Sequence, residues 1–423
     1  MGTVGITEGL VSNQAEAATA SKTVEVKSFN PQFADTKKEG KVTLPYSKVN
    51  VFYYDKDNQK HKLASTMSDR HGVVRAGSYH VPKDVKRLYF DFKLEDNDGN
   101  MLLNNDNRVI HFYTSAPINS KNKVDTERTQ TFKDNALYGY IKLYATYFDF
   151  LDDQRQAVKK AQTELKKQGI KVDGFKYQPI KMKYIPTANK DRHAALMTRS
   201  KAQGPIKPYE KYLEFRLSMY NEVGNAKQWH DLMRVYIGHE YSHFTMWNST
   251  GGKGMGGSYT SHSGYNENVN TSYKEGWGLF QANRFPWGFD MNGNLDVSVQ
   301  SSKSDNRLGD RDRLYGKSTN RTVNEVFKDI YDLQNRVEGE ADSYNIAQDV
   351  FGKKHSVKEL EQLSNGMMYI TMRDSKAINL EQYIQYVKKH YVKDTKSFER
   401  MLKTNGLTKD GQFTLDGNGH RIH

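Results

Sequence analysis

Hydrophobic and polar residues alternate through the early part of the chain. Val49, Val51 and Tyr53 stand two apart, and Leu88, Phe90, Phe92 and Leu94 repeat the spacing, which is the period of a half-buried strand. Asp55-Lys56-Asp57-Asn58, His71-Gly72 and Asp98-Gly99 punctuate these runs as turns. Residues 22–115 are therefore expected to form a small β-sandwich. The acidic stretch 95–100 has the composition of a calcium loop, but Leu94 occupies the first ligand position, so a hairpin turn is expected. Residues 116–131 are polar and aperiodic and read as a linker.

The period then changes. Leu137, Ile141, Tyr144, Phe148, Leu151, Val158, Ala161 and Leu165 predict one long helix that stops at Gly169. Its acidic group, Asp149, Asp152 and Asp153, reads as a solvated face. Strand patterns return at 175–177, 180–184 and 212–220. A helix is predicted over 225–246, where Trp229, Leu232, Met233, Tyr236 and Ile237 form an apolar stripe. The glycine-rich stretch 251–264 reads as a mobile loop. After Pro286 the pattern is helical again, over 323–333, 344–351, 357–372 and 380–391. The fold class expected is a multidomain α+β chain. It has an N-terminal sandwich, immunoglobulin-like in general form, and then a second domain over 132–423 with a small sheet and a mostly helical C-terminal half.

Chemistry concentrates at the helix over 225–246, where His239-Glu240-x-x-His243 falls. Histidines four apart on a helix leave the same face, so both imidazoles can reach one ion. Glu240, one step on, points to the edge of that face, where a carboxylate can take and return a proton. Five residues with three fixed letters are too short to carry the reading alone. Glu275 follows 32 residues after His243 (275 − 243), in a second amphipathic run. It would complete a two-histidine, one-carboxylate set with one position open. Gly276 and Gly278 flank it, and residues without a Cβ let two helices approach closely.

H-E-Y-S-H followed by K-E-G-W-G-L-F resembles the gluzincin metallopeptidases, with a spelling similar to the alanyl-aminopeptidase-like branch. The resemblance covers about residues 205–350. It implies a gluzincin-like metallopeptidase domain in which His239, His243 and Glu275 bind Zn²⁺ and Glu240 is the general base. It further implies an oxyanion donor downstream, for which Tyr344 is the first candidate and Tyr315 the second. By the same resemblance the strand at 212–220 would border the cleft with an open edge. Two departures limit the likeness. The Gly-x-Met-Glu-Asn device that grips a free amino terminus is replaced by L-S-M-Y-N-E at 217–222, and Leu279 stands where the thermolysin-like branch has an Asp. Asp329 and Asp332 are candidates to hold a ligand histidine from behind, and His262 could assist charge stabilisation from the glycine-rich loop. A zinc endopeptidase is the activity implied. An aminopeptidase of the same clan, or a wall-associated binding protein or adhesin with a vestigial zinc site, are the alternatives.

Bulk properties place the chain rather than define its chemistry. Its 423 residues suffice for two domains or three, and 12% are aromatic, 27 of them tyrosine. No window of about 18 apolar residues exists to span a membrane. Cysteine is absent, which excludes disulfide scaffolds and thiolate metal sites and is common in proteins exported by Gram-positive bacteria. Ala15-Glu16-Ala17 has signal-cleavage spacing, so residues 1–21 read as an export-signal remnant or a disordered tail, and a secreted or cell-wall-associated protein is expected. A net charge of +13 without a dense basic block fits attraction to anionic wall polymers or acidic substrates, and no nucleic-acid module is recognisable.

Overall fold

The computed structural model describes residues 20–34, 41–131, 135–175, 177–187, 194–199, 211–218, 226–255, 268–283, 320–331, 357–392, 395–404 and 407–411. These form a mixed α+β fold with three sheets. Eight strands come first: β1 (Ser21–Ala34), β2 (Lys48–Tyr54), β3 (Lys60–Met67), β4 (Gly77–Pro82), β5 (Arg87–Lys93), β6 (Met101–Leu103), β7 (His111–Pro117) and β8 (Lys123–Thr131). The order β4-β1-β8 makes one sheet and β3-β2-β5-β7 a second. Alternation decides which face each strand buries. Val24, Val26, Phe29 and Phe33 of β1 meet Phe90, Phe92 and Phe112 from the facing sheet. Phe29 stacks on Phe90 at 4.2 Å between ring centroids, and Phe33 meets Phe112 edge-on at 5.1 Å.

Two expectations are corrected here. Residues 116–131 are not a linker: they hold the end of β7 and the whole of β8, which pairs in parallel with β1 from Glu25–Lys123 to Ala34–Thr131. The segment is polar because Val124 is the one buried residue of β8 and both faces are otherwise exposed or half-buried, so there is no apolar alternation to read. Also, β6 lies within the stretch expected as the sandwich but pairs in parallel with β9 of the third sheet. The turn before β6 is as expected. The Asp96 carboxylate accepts from the Gly99 and Asn100 amides at 2.8 Å each, and Glu95 bridges Met101. Asn100 then accepts from Tyr147 and from the Ile180 amide, tying that turn to the helical half.

Helix α1 (Asn135–Lys167) spans 33 residues, about 50 Å at 1.5 Å per residue. Its first half buries Tyr138, Ile141, Tyr144, Tyr147, Phe148 and Leu151 in the same core as the sandwich, and its second half buries Val158, Ala161 and Leu165 in the helical core. The third sheet has the order β10-β11-β9-β6, with β9 (Lys181–Thr187), β10 (Ala194–Arg199) and β11 (Lys211–Ser218). β11 is therefore an interior strand, antiparallel to β10 and parallel to β9, and among the described residues the edge on that side is β10. Phe175 and Tyr177 stand outside any strand, and Lys176 between them lies outside the described residues.

The remaining helices are α2 (Ala226–Thr250), α3 (Val269–Asn283), α4 (Asn320–Tyr331), α5 (Val357–Ser375), α6 (Leu380–His390) and α7 (Thr395–Thr404). α6 starts where the Asn379 side chain accepts the Gln382 amide at 2.9 Å, and it ends in Lys388, Lys389 and His390, the charge a helix C-terminus favours. The expected helix at 344–351 falls outside the described residues. No helix among those described is long and apolar enough to cross a membrane.

Candidate metal centre

Three glycines decide how closely the helices of the site approach. A Cβ at Gly238 of α2 would stand 3.1 Å from the Gln281 carbonyl oxygen of α3. One at Gly276 of α3 would sit 2.4 Å from Val323 Cγ1 of α4. One at Gly278 would lie 2.8 Å from His239 Cε1 and 3.0 Å from His243 Cε1, so this bare backbone is the floor on which both imidazoles rest. On its other face α3 buries Tyr273, Trp277 and Phe280, with Trp277 5.2 Å from Phe327 and 5.9 Å from Tyr369 between ring centroids. α3 is thereby clamped between α2, α4 and α5, and Glu275 is carried toward the histidines.

His239, His243 and Glu275 converge as the sequence predicts. His239 Nε2 is 3.2 Å from Glu275 Oε2 and 3.1 Å from His243 Nε2, and His243 Nε2 is 3.4 Å from Glu275 Oε2. Donors about 2.1 Å from a small divalent ion in tetrahedral array lie about 3.4 Å from one another. The three measured separations are thus the edges of one face of such a tetrahedron, and the donor set fits a metal ion. The fourth vertex has no protein ligand among the described residues.

The electrostatics follow from proximity. Burial pushes the Glu275 carboxyl up, but the imidazoles of His243 and His239 outweigh it and hold the group well below the usual carboxylate range in the metal-free chain. Burial likewise disfavours charge on His239. The hydrogen bond to Glu275 and the nearby charge of Glu240 outweigh that and raise its pKa. Glu240 itself is buried, at 5% exposure, next to the triad rather than in it.

One neighbour went unread in the sequence. Lys274 Nζ lies 3.6 Å from Glu275 Oε1, the oxygen turned away from the histidines, and its side chain is only 13% exposed. Consecutive residues on a helix normally diverge, so spacing gives no signal for this contact. His243 Nδ1 is buried without a hydrogen-bond partner among the described residues. The residues expected in that role, Asp332 and the side chain of Asp329, lie outside the described residues, as do Tyr344, Tyr315 and His262. The acidic face of α1 is not simply solvated: Asp153 pairs with Arg234 of α2, and Asp152 accepts from Tyr46 at 3.3 Å. A cleft of about 580 Å³, lined by Tyr241, Thr245, Asn248, Tyr177 and Arg373 among others, lies on the other side of α2 from the metal ligands.

No family model matches the chain, and no curated protein matches it. Among solved structures it aligns with a 9R-lipoxygenase from Cyanothece PCC8801 at 8% identity over 87% of this chain and 67% of that one. The TM-score is 0.19, too low for any argument from that protein.

Proposed function

We propose that the chain is a zinc-dependent peptidase of the gluzincin type, an endopeptidase acting outside the cell, whose N-terminal strands form an immunoglobulin-like module. The observation that carries this reading is the convergence of His239 Nε2, His243 Nε2 and Glu275 Oε2 at tetrahedral spacing, with the buried Glu240 beside them. Two imidazoles and one carboxylate, with a fourth position open and no thiolate in the chain, suit zinc in a hydrolytic rather than a structural site. Held by these three side chains, zinc would polarise a carbonyl oxygen and lower the pKa of water.

The chain's own part is proton management. Glu240 accepts a proton from the attacking water and returns it to the amine as the peptide bond breaks. Its position next to His239 keeps that carboxylate within the field of the site. Lys274 and the imidazoles fix the Glu275 carboxylate, and Gly278 fixes the plane of the rings. Endopeptidase action is favoured over aminopeptidase action because 217–222 lacks the carboxylate motif that would anchor a free amino terminus. Export is supported by the absence of cysteine and by Ala15-Glu16-Ala17.

Glu240→Gln is the direct test. It should lower casein turnover by about a hundredfold to ten-thousandfold while bound zinc stays at one per chain. Near-normal turnover in that variant sinks the assignment, and blocking the amino terminus of a peptide substrate should leave its cleavage unchanged.

A further inference from the structure

The outer face of the β3-β2-β5-β7 sheet carries a cluster of rings that the core does not need. Val49 and Val51 of β2, Leu88, Phe90 and Phe92 of β5, and Phe112 of β7 point inward and are buried. Phe52, Tyr54, Tyr89 and Tyr113 belong to the opposite face by strand alternation, and Lys60 and Lys62 of β3 join them because the extra residue of a register shift, Leu63, falls in that strand. Phe52 lies 5.5 Å from Tyr89 and 5.9 Å from Tyr113, and Tyr54 meets Tyr89 at 5.0 Å. Three large hydrophobic side chains are exposed among the described residues: Tyr54 at 38%, Tyr113 at 48% and Ile170. Two of those three stand together here, where an exposed apolar patch marks a contact surface.

Charge defines the partner. Lys48, Lys60, Lys62, Arg87 and Lys93 occupy the same face by strand register, against the carboxylates of Asp91 and Glu95, which pair with His111 and Lys48 respectively. Lys60 Nζ stands 4.0 Å over the Phe52 ring and 5.2 Å from the centre of Tyr113. We propose that this face binds an acidic polysaccharide, through the juxtaposition of the Tyr54 and Tyr113 rings with the Lys60 and Lys62 ammonium groups. Sugar C–H groups can lie across part of a ring while their carboxylates or phosphates reach the lysines. A nucleobase needs an unobstructed ring face to stack on. Phe52 is capped by Lys60, and Tyr113 has Lys60 over its ring and His111 edge-on beside it, 5.7 Å away. Such a surface would hold the protein on an anionic polymer whatever its metal site does.

Affinity electrophoresis of the full-length protein in gels containing polygalacturonate tests this, with dextran as the neutral polymer and single-stranded oligo(dT) as the nucleic-acid probe. The protein should be retarded by polygalacturonate and not by dextran, equally with and without chelator. Tyr54→Ala/Tyr113→Ala leaves the net charge unchanged, yet should weaken retardation on the order of tenfold, with the loss of two ring contacts. Lys60→Gln/Lys62→Gln should weaken it as well and flatten its dependence on salt. The proposal is overturned if the tyrosine variant, shown by its thermal midpoint to be folded, migrates as the parent does, if the parent is not retarded, or if oligo(dT) is held more tightly than polygalacturonate.

Discussion

Gly278 shows how a residue without a side chain can set the geometry of a metal site. The Cβ it lacks would press on His239 Nδ1 at 2.9 Å as well as on His239 Cε1 and His243 Cε1, so the rings would have to shift, and with them the Nε2 atoms that face Glu275. Gly278→Ala should therefore weaken zinc binding by about 10- to 100-fold, the range seen when groups supporting a ligand are disturbed. A chelator-competition titration measures it, and unchanged affinity would show that the rings shift freely. The same reasoning separates two roles near Glu240. Replacing that carboxylate removes a proton acceptor, whereas replacing Gly278 moves the ligands themselves, so the first variant loses turnover at full metal content and the second loses metal.

Among the elements, α3 carries the most consequence per residue. It brings Glu275 to the histidines only because Tyr273, Trp277 and Phe280 anchor it against α4 and α5. Trp277→Ala should cost about 3–5 kcal/mol of stability, as expected for an aromatic ring removed from a filled core. The loss is read as a lowered unfolding midpoint in denaturant. The α1–α5 crossing is similarly tight, since a Cβ at Gly366 would lie 2.1 Å from the Ala157 carbonyl oxygen. These crossings explain why the helical half needs glycine inside its helices, where it is otherwise unfavourable.

For the molecule as a whole, protons and metal compete for the same atoms. The His239 pKa is raised in the metal-free chain, so its contribution to stability is complete below the unfolded value of 6.5 and fades as pH rises through the higher folded value. Glu275 behaves oppositely: its depressed pKa gives stability that is complete above the unfolded value of 4.5 and is lost progressively as pH falls below that value toward the lower folded one. Zinc requires neutral imidazoles, so its binding displaces the His239 proton and gains strength where that proton leaves. The zinc-induced rise in thermal midpoint should therefore grow steadily from about pH 5.5 to about pH 8. Scanning calorimetry with and without chelator checks it, and a rise that stays constant across that range would remove His239 from the ligand set.

Most of the regular elements were legible in the sequence because their periods are local. The long helix α1, helix α2 around the histidine pair, and the alternating strands β2 and β5 each declare themselves by the spacing of their own residues. The candidate ligands were legible for a related reason: two histidines four apart share a helical face whatever surrounds them. Partnership across long separations was not. β8 looks like a linker until it finds β1, β6 leaves its neighbours to join β9, and β11 turns out to be interior because β10 takes the edge. The floor at Gly278 and the ring cluster about Phe52 likewise arise only when separate segments are brought together. Local spacing fixes which way a side chain leaves its own backbone, and only the packing of one element on another decides what it meets there.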